Sequence, residues 1–79
     1  MITITLFTKA GCGLCNEVKD NLELLRTSFP HQLLEVDISE DDGLFQKYRY
    51  TIPVVHIGEI ELAAPITAVQ LRTALQDHV

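Results

Sequence analysis

The stretch "ITITLFTKAGCGLCNEV", residues 2–18, joins two segments of different hydrophobic period and holds both cysteines of the chain. The first segment is rich in β-branched residues, and one of its faces consists of Ile2, Ile4 and Leu6. Because the other face is only mildly polar, this segment is typical of a strand covered on both faces. The second segment begins a run of helical spacing whose apolar positions are Leu14, Val18, Leu22 and Leu25. The stretch therefore predicts a strand, a turn that carries the cysteines, and an amphipathic helix.

A second strand and a short helix are predicted in the middle of the chain. Pro30 is expected to end the first helix region, because its ring disfavours helix at the preceding residue. The strand follows as "HQLLEVDI", residues 31–38. Ser39 is placed to cap a helix through "GLFQKYRY", residues 43–50, with acidic residues at its start that favour the helix dipole.

The last part of the chain predicts a hairpin followed by a helix. "IPVVHI", residues 52–57, and "IELA", residues 60–63, are short strands, and the Gly58-Glu59 pair between them fits a type II′ turn. Thr67 and Gln70 form a capping-box pattern ahead of apolar residues at helical spacing. The predicted order of elements is therefore βαβαββα.

This order predicts an α/β fold with one mixed sheet. A helical crossover joins the first two strands, so they are expected to be parallel. The last two strands form a hairpin, so they are expected to be antiparallel. We therefore predict a four-stranded mixed sheet flanked by helices, in a single domain over residues 1–79.

Composition and charge exclude several functional classes. The chain is 47% hydrophobic and 22% charged, which is ordinary for a folded domain and argues against disorder. No apolar run approaches the ~20 residues of a membrane helix, and the N-terminal residues do not resemble a signal peptide. We therefore expect a cytoplasmic protein without a membrane partner. The net charge of −5 argues against nucleic acid as a partner, because binding phosphates needs Lys and Arg.

Cys12 and Cys15 are predicted to be a redox-active pair. A C-x-x-C motif beside a βαβ pattern, in a chain expected to be cytosolic, is typical of thioredoxin-like redox chemistry. With Cys12 at the start of the helix, the free backbone N–H groups stabilise its thiolate, which is the nucleophile in disulfide exchange. Lys9 adds a nearby positive charge and Glu17 acts against it. We expect the pKa of Cys12 to lie below the ~8.5 of a free thiol.

Three other interpretations of the cysteines remain open. They could be buried core residues, because free cysteine is often buried. They could be part of a zinc site, but the three histidines do not show the paired spacing of a zinc module, and we expect no metal ligands. They could hold an iron–sulfur cluster shared between two chains.

Four landmarks in sequence order resemble the glutaredoxins. They are "TLFTKAGCGLC", then "EVDI", then "YTIPVV", then a hairpin with a final helix, and together they span nearly the whole chain. The greatest similarity is to small bacterial glutaredoxin-like proteins with a C-x-L-C motif. The resemblance implies a thioredoxin-like fold with sheet order 2-1-3-4, acting as a thiol–disulfide oxidoreductase.

The resemblance also implies a role for individual residues. Cys12 resembles the nucleophilic cysteine and Cys15 the resolving one. Pro53 resembles a cis-proline beside the active site, which would present the N–H and C=O groups of Ile52 to a substrate. Lys9 resembles a basic residue that contacts the carboxylate of glutathione. The implied substrate-binding residues are Lys9, Gly11, Gly13, Leu14, Ile52 and Pro53.

The sequence departs from typical glutaredoxins where they bind glutathione. Gly13-Leu14 stands in place of Pro-Tyr, and Ala63, Ala64 and Pro65 stand where a Gly-Gly segment is usual. We expect no tightly bound cofactor, with either glutathione or a thioredoxin reductase as electron donor. The expected substrate is a disulfide-containing protein or a low-molecular-weight disulfide, and the expected state is a monomer. The alternative functions are a thioredoxin-fold binding module and a dimeric metal or iron–sulfur carrier.

Overall fold

A computed structural model describes residues 2–78. Its elements are β1 (Ile2–Thr8), α1 (Gly13–Leu25), β2 (His31–Asp37), a short 3-10 turn (Ile38–Glu40), α2 (Asp42–Tyr48), β3 (Val54–Ile57), β4 (Ile60–Ala63) and α3 (Ala68–His78). Apart from the 3-10 turn, this is the predicted order βαβαββα. No helix among these residues is long and apolar enough to cross a membrane.

The four strands form one mixed sheet in the order β2-β1-β3-β4. β1 runs parallel to β2 and antiparallel to β3, and β3 pairs antiparallel with β4. The parallel strands β1 and β2 are joined through α1, and the antiparallel strands β3 and β4 are joined through a tight turn, as the chain order predicts. The predicted fold class and the strand order 2-1-3-4 are confirmed.

Alternating residues of β1 face two separate hydrophobic clusters. Ile4 and Leu6 are fully buried on the face covered by α1 and α3, where the helices contribute Val18, Leu22, Leu71 and Leu75. Phe7 points to the opposite face and packs with Ile38, Tyr48 and Val54 next to α2. The mildly polar second face of this strand is covered only toward its end: Phe7 is buried, Thr5 is half-buried and Thr3 is exposed, so the prediction of a strand covered on both faces holds only in part. Each such buried aliphatic side chain contributes about 1.5–3 kcal/mol through removal from water.

The buried stripe of α1 is shifted by one residue from the prediction. Leu14 is 58% exposed, and Cys15 occupies the buried position in its place, followed by Val18, Leu22 and Leu25. The assignment of Leu14 to the core was wrong, because Cys15 fits the same helical spacing and is also apolar. The helix also ends at Leu25, well before Pro30, and the amide of Phe29 donates to the carbonyl of Leu25 to close the turn.

Ser39 does not cap α2. The carboxylate of Asp37 accepts from both the amide and the hydroxyl of Ser39, which holds Ser39 inside the 3-10 turn. Asp41 caps the helix instead, and its Oδ1 accepts from the amide of Leu44 at 3.0 Å. The prediction failed because Asp37, Ser39 and Asp41 all carry side chains that can cap a helix. The end of β2 at Asp37 decides which of them caps α2.

The turn between β3 and β4 has the predicted geometry. Gly58 has φ = +59°, and every described non-glycine residue, Glu59 included, avoids positive φ. A positive φ at only the first central residue is the property of a type II′ turn. The ring of His78, at the end of α3, lies where a side chain at position 58 would be. The positive φ therefore favours glycine, and a side chain at this position would also have to displace the exposed His78 ring.

The capping box of α3 is confirmed. Thr67 Oγ1 accepts from the amide of Gln70 at 3.1 Å, and Gln70 Oε1 accepts from the amide of Thr67 at 2.9 Å. These reciprocal bonds satisfy two backbone donors at the N-terminal end of α3.

We expect Thr67→Ala to lower the free energy of unfolding by about 1 kcal/mol, because it removes an N-cap acceptor. Thr73→Ala is the matched control: Thr73 is an exposed residue inside α3, where alanine is the better helix former. Denaturation in urea measures the free energy of unfolding of both variants. Equal stabilities for the two variants would contradict the capping role.

The hydroxyl of Ser39, with its amide, holds the pKa of Asp37 below its usual range. The unfolded chain therefore binds this proton more readily, and the interaction stabilises the fold at neutral pH. The contribution is lost as the pH falls through the lowered pKa. We expect Ser39→Ala to raise the pKa of Asp37 toward the ordinary value, as measured by NMR titration of its carboxyl carbon. Ser28→Ala, in an exposed turn, is the control, and an unchanged pKa in Ser39→Ala would contradict the assignment.

Candidate active site

The first turn of α1 brings the two cysteines together. Cys12 is the N-cap residue, with extended backbone (φ −88°, ψ 101°), and its Sγ accepts from the amide of Cys15 at 3.1 Å. The two sulfurs lie at disulfide distance, with 5.3 Å between the Cα atoms. The sequence prediction that Cys12 begins the helix and reaches Cys15 across one turn is confirmed. The same amide that caps the helix is placed to favour a thiolate at Cys12.

The two sulfurs differ in their access to solvent. Cys15 is 1% exposed because it shares the buried face of α1 with Val18, whereas Cys12 is only half-buried. Gly11 has φ = +80°, so the turn before Cys12 requires glycine. A side chain at Gly13 would meet no atom within 4 Å, so the space beside Cys12 is open. Only Cys12 is therefore accessible to a large reactant.

The Ile52–Pro53 peptide bond is cis, as the glutaredoxin resemblance implies. Pro53 is buried beside the first turn of α1. The N–H of Ile52 donates to the carbonyl of Tyr48 at 3.0 Å. The expectation that Ile52 presents both backbone groups to a substrate was therefore wrong for the N–H, because α2 uses that group for its own last turn. Of the two backbone groups of Ile52, the carbonyl is the one that remains to accept a hydrogen bond from a substrate.

A groove of about 240 Å³ lies between α1 and the segment that follows β4, and its lining includes Leu14, the residue just before Cys15. It is lined by Leu14, Glu17, Val18, Pro53, Ala64, Pro65 and Ile66. The Ala64–Pro65 bond is a second cis peptide, and the amide of Ala64 donates to the carbonyl of Thr51 at 3.3 Å. Leu14 is exposed because its side chain lines this open groove instead of packing in the core. Glu17 and Ile66 were not among the predicted binding residues, although the helical spacing of Leu14 and Glu17 already places them on one side of α1.

Lys9 lies three residues before Cys12 and is not part of the groove lining. Its carbonyl accepts from the amide of Cys12 at 3.3 Å, and its Nζ lies 6.0 Å from the centre of the Phe45 ring. The guanidinium of Arg49 lies 5.9 Å from the same ring. Phe45 and Arg49 are one turn apart on and just after α2, and the sequence offered no signal that they would meet Lys9. The predicted contact of Lys9 with glutathione stays a prediction.

Within residues 2–78, no three His, Cys, Asp or Glu side chains come together as a metal site would need. His31 is 3% exposed and its Nδ1 donates to the carbonyl of Phe29, while His56 pairs with Glu61. The hydrogen bond from His56 lowers the pKa of Glu61. These contacts occupy two of the histidines away from the cysteines. A cluster shared between two chains stays an open alternative.

Comparisons with known proteins bear on the family and the fold of this chain. The family model described as Glutaredoxin-like domain (DUF836) matches residues 3–76. A structural genomics target protein from X. campestris is 28% identical, with a TM-score of 0.81 over 94% of this chain and 96% of that one. Thioredoxin 1 of Thermosipho africanus is 18% identical, with a TM-score of 0.74 over 96% of this chain and 92% of that one. Oxidised thioredoxin O2 of Arabidopsis thaliana is 22% identical, with a TM-score of 0.71 over 98% and 74%. The two thioredoxins share the fold.

In the reduced protein, we expect iodoacetamide to alkylate Cys12 faster than Cys15, by about tenfold or more, because Cys15 is buried and Cys12 is at the helix N-terminus. Mass spectrometry of proteolytic peptides at successive times gives both rates. In denaturant the two rates should converge. Faster alkylation of Cys15 in the native protein would contradict the assignment of the accessible sulfur.

Proposed function

Because the chain belongs to the Glutaredoxin-like domain family, we propose that it is a dithiol–disulfide oxidoreductase with Cys12 as nucleophile and Cys15 as resolving cysteine. The observation that carries the proposal is the asymmetric pair at the start of α1. One sulfur is accessible and hydrogen-bonded to a helix amide, and the other is buried within bonding distance of it.

The reaction has two exchange steps. The Cys12 thiolate attacks one sulfur of a substrate disulfide, an S–S bond forms between them, and the other substrate sulfur leaves as a thiolate that takes up a proton. The Cys15 thiolate then attacks Cys12 Sγ, and the remaining substrate sulfur leaves in the same way. The substrate gains two electrons and two protons, and the protein is left with a Cys12–Cys15 disulfide. Burial of Cys15 keeps the resolving sulfur away from substrate until the mixed disulfide has formed.

The groove supports the proposed binding residues. Leu14 and the cis-Pro53 segment line one groove, so an extended substrate chain could lie across them and meet the carbonyl of Ile52. Gly11 and Gly13 keep the approach to Cys12 open. We assign these residues and Lys9, whose Nζ lies 6.0 Å from the Phe45 ring, to substrate binding.

Glutathione and thioredoxin reductase remain the two candidate electron donors. Two features argue against glutathione: Pro65 has no backbone N–H, and the amide of Ala64 is already bonded to Thr51. A γ-glutamyl carboxylate would therefore find few donors there. Comparing the rates at which each donor reduces the Cys12–Cys15 disulfide decides between them. We also propose that the protein is a monomer and that it acts in the cytoplasm, where thiols are kept reduced.

Substitution of each cysteine tests the mechanism. With dithiothreitol as chemical reductant and a cystine-containing peptide as substrate, we expect Cys12→Ser to abolish turnover above the rate of dithiothreitol alone. The Cys15→Ser protein is pre-reduced and freed of dithiothreitol before the peptide is added. It should then accumulate a mixed disulfide on Cys12, because the resolving sulfur is absent, and the intact mass should rise by that of the substrate thiol.

The parent protein is the positive control, and an unfolded variant is recognised by circular dichroism. If both serine variants reduce the peptide as fast as the parent, the proposed chemistry is wrong. If the parent forms its internal disulfide but reduces no substrate, the binding-module alternative is favoured.

A further inference from the structure

We infer that the groove beside Cys12 selects protein disulfides whose cysteine is flanked by a large apolar side chain and a cationic one. This inference rests on the proposed function and concerns the substrate of the same site. It follows from the shape, the lining and the one charge of the groove defined by Leu14, Glu17, Val18, Pro53, Ala64, Pro65 and Ile66.

The groove has the size and the lining of a side-chain pocket. Its volume of about 240 Å³ is below the ~300–1,000 Å³ typical of small-molecule sites, so one or two side chains fit it better than a cofactor does. Six of its seven lining residues are apolar. Leu14 is 58% exposed and stands between the two cysteines in the C-x-x-C motif. An apolar side chain of the substrate would cover this surface, and removing it from water favours binding.

Glu17 supplies the only charge in the groove lining. Among the described residues it forms no salt bridge, whereas Glu23 pairs with Arg26 and Glu35 pairs with Lys19. It is exposed and lies one helical turn beyond Leu14, so its carboxylate borders the apolar floor. A Lys or Arg side chain can lay its apolar stem along that floor and place its charge at Glu17.

The same features disfavour an anionic substrate. A substrate carboxylate in the groove would face Glu17, a like charge. It would also lack the amides of positions 64 and 65, since one is bonded to Thr51 and the other is a proline nitrogen. Neither a peptide rich in Asp and Glu nor a tripeptide with two carboxylates gains a partner there.

The test uses short peptides with one cysteine, each carrying thionitrobenzoate as a disulfide-linked leaving group. The cysteine is flanked by Leu and Lys, by Leu and Glu, or by Ser and Lys, each pair in both orders. Pre-reduced protein is mixed with excess peptide, and the release of the coloured thiolate gives a rate constant for attack by Cys12. Each rate is divided by the rate for dithiothreitol with the same peptide, which corrects for the intrinsic reactivity of the disulfide.

We expect the Leu/Lys peptide to react about two- to fivefold faster than the Leu/Glu peptide at low ionic strength, the effect of one exposed ion pair. Added salt should reduce this ratio toward one. Replacement of Leu by Ser should lower the rate by about fivefold through the loss of apolar contact. Glu17→Lys should reverse the preference between Lys and Glu.

Glu23→Lys is the matched control, because it makes the same charge change on the same helix about 9 Å farther along the axis. It should keep the preference of the parent. If no peptide reacts, the proposed function and this inference both fail. If all peptides react at the same normalised rate, or if Glu17→Lys and Glu23→Lys behave alike, the inference alone is overturned and the disulfide chemistry stands.

Discussion

The hydrogen bond from the amide of Cys15 to Cys12 Sγ joins the fold of this protein to its chemistry. It can form only if α1 starts at Gly13, with Cys12 as its extended N-cap residue. That start is held by the core, because Cys15 is drawn into the buried stripe that continues through Val18 and Leu22. The stripe in turn packs on Ile4 and Leu6 of β1. The position of the accessible sulfur therefore depends on burial of its partner, and the core holds the pair in register.

The sequence predicts those parts of the structure that local interactions determine. The type II′ turn at Gly58, the capping box at Thr67 and the cysteines at the strand–helix junction each depend on residues within a few positions. The errors arose where neighbouring residues compete for one role. Leu14 and Cys15 are both apolar, and their spacing alone cannot say which of them faces the core. Ser39 and Asp41 can both cap, and the choice depends on where β2 ends.

The groove could not be predicted as a whole from the sequence, because it is assembled from distant segments. Leu14 and Glu17 come from α1, Pro53 precedes β3, and Pro65 follows β4. The groove differs in charge from the surroundings of Lys9. Lys9 and Arg49 place cations at the Phe45 ring, whereas the groove lining is apolar with one carboxylate. These contacts between distant segments come from tertiary packing, which a single sequence does not reveal.

The contact between Gly58 and His78 has a consequence for the dynamics of the chain. Helix ends ordinarily fray independently of their surroundings, and hairpin turns open on their own. Here the ring of His78 occupies the space above Gly58, so the last turn of α3 lies against the loop that sets the register of β3 and β4. The two regions should therefore exchange their amide hydrogens as one cooperative unit.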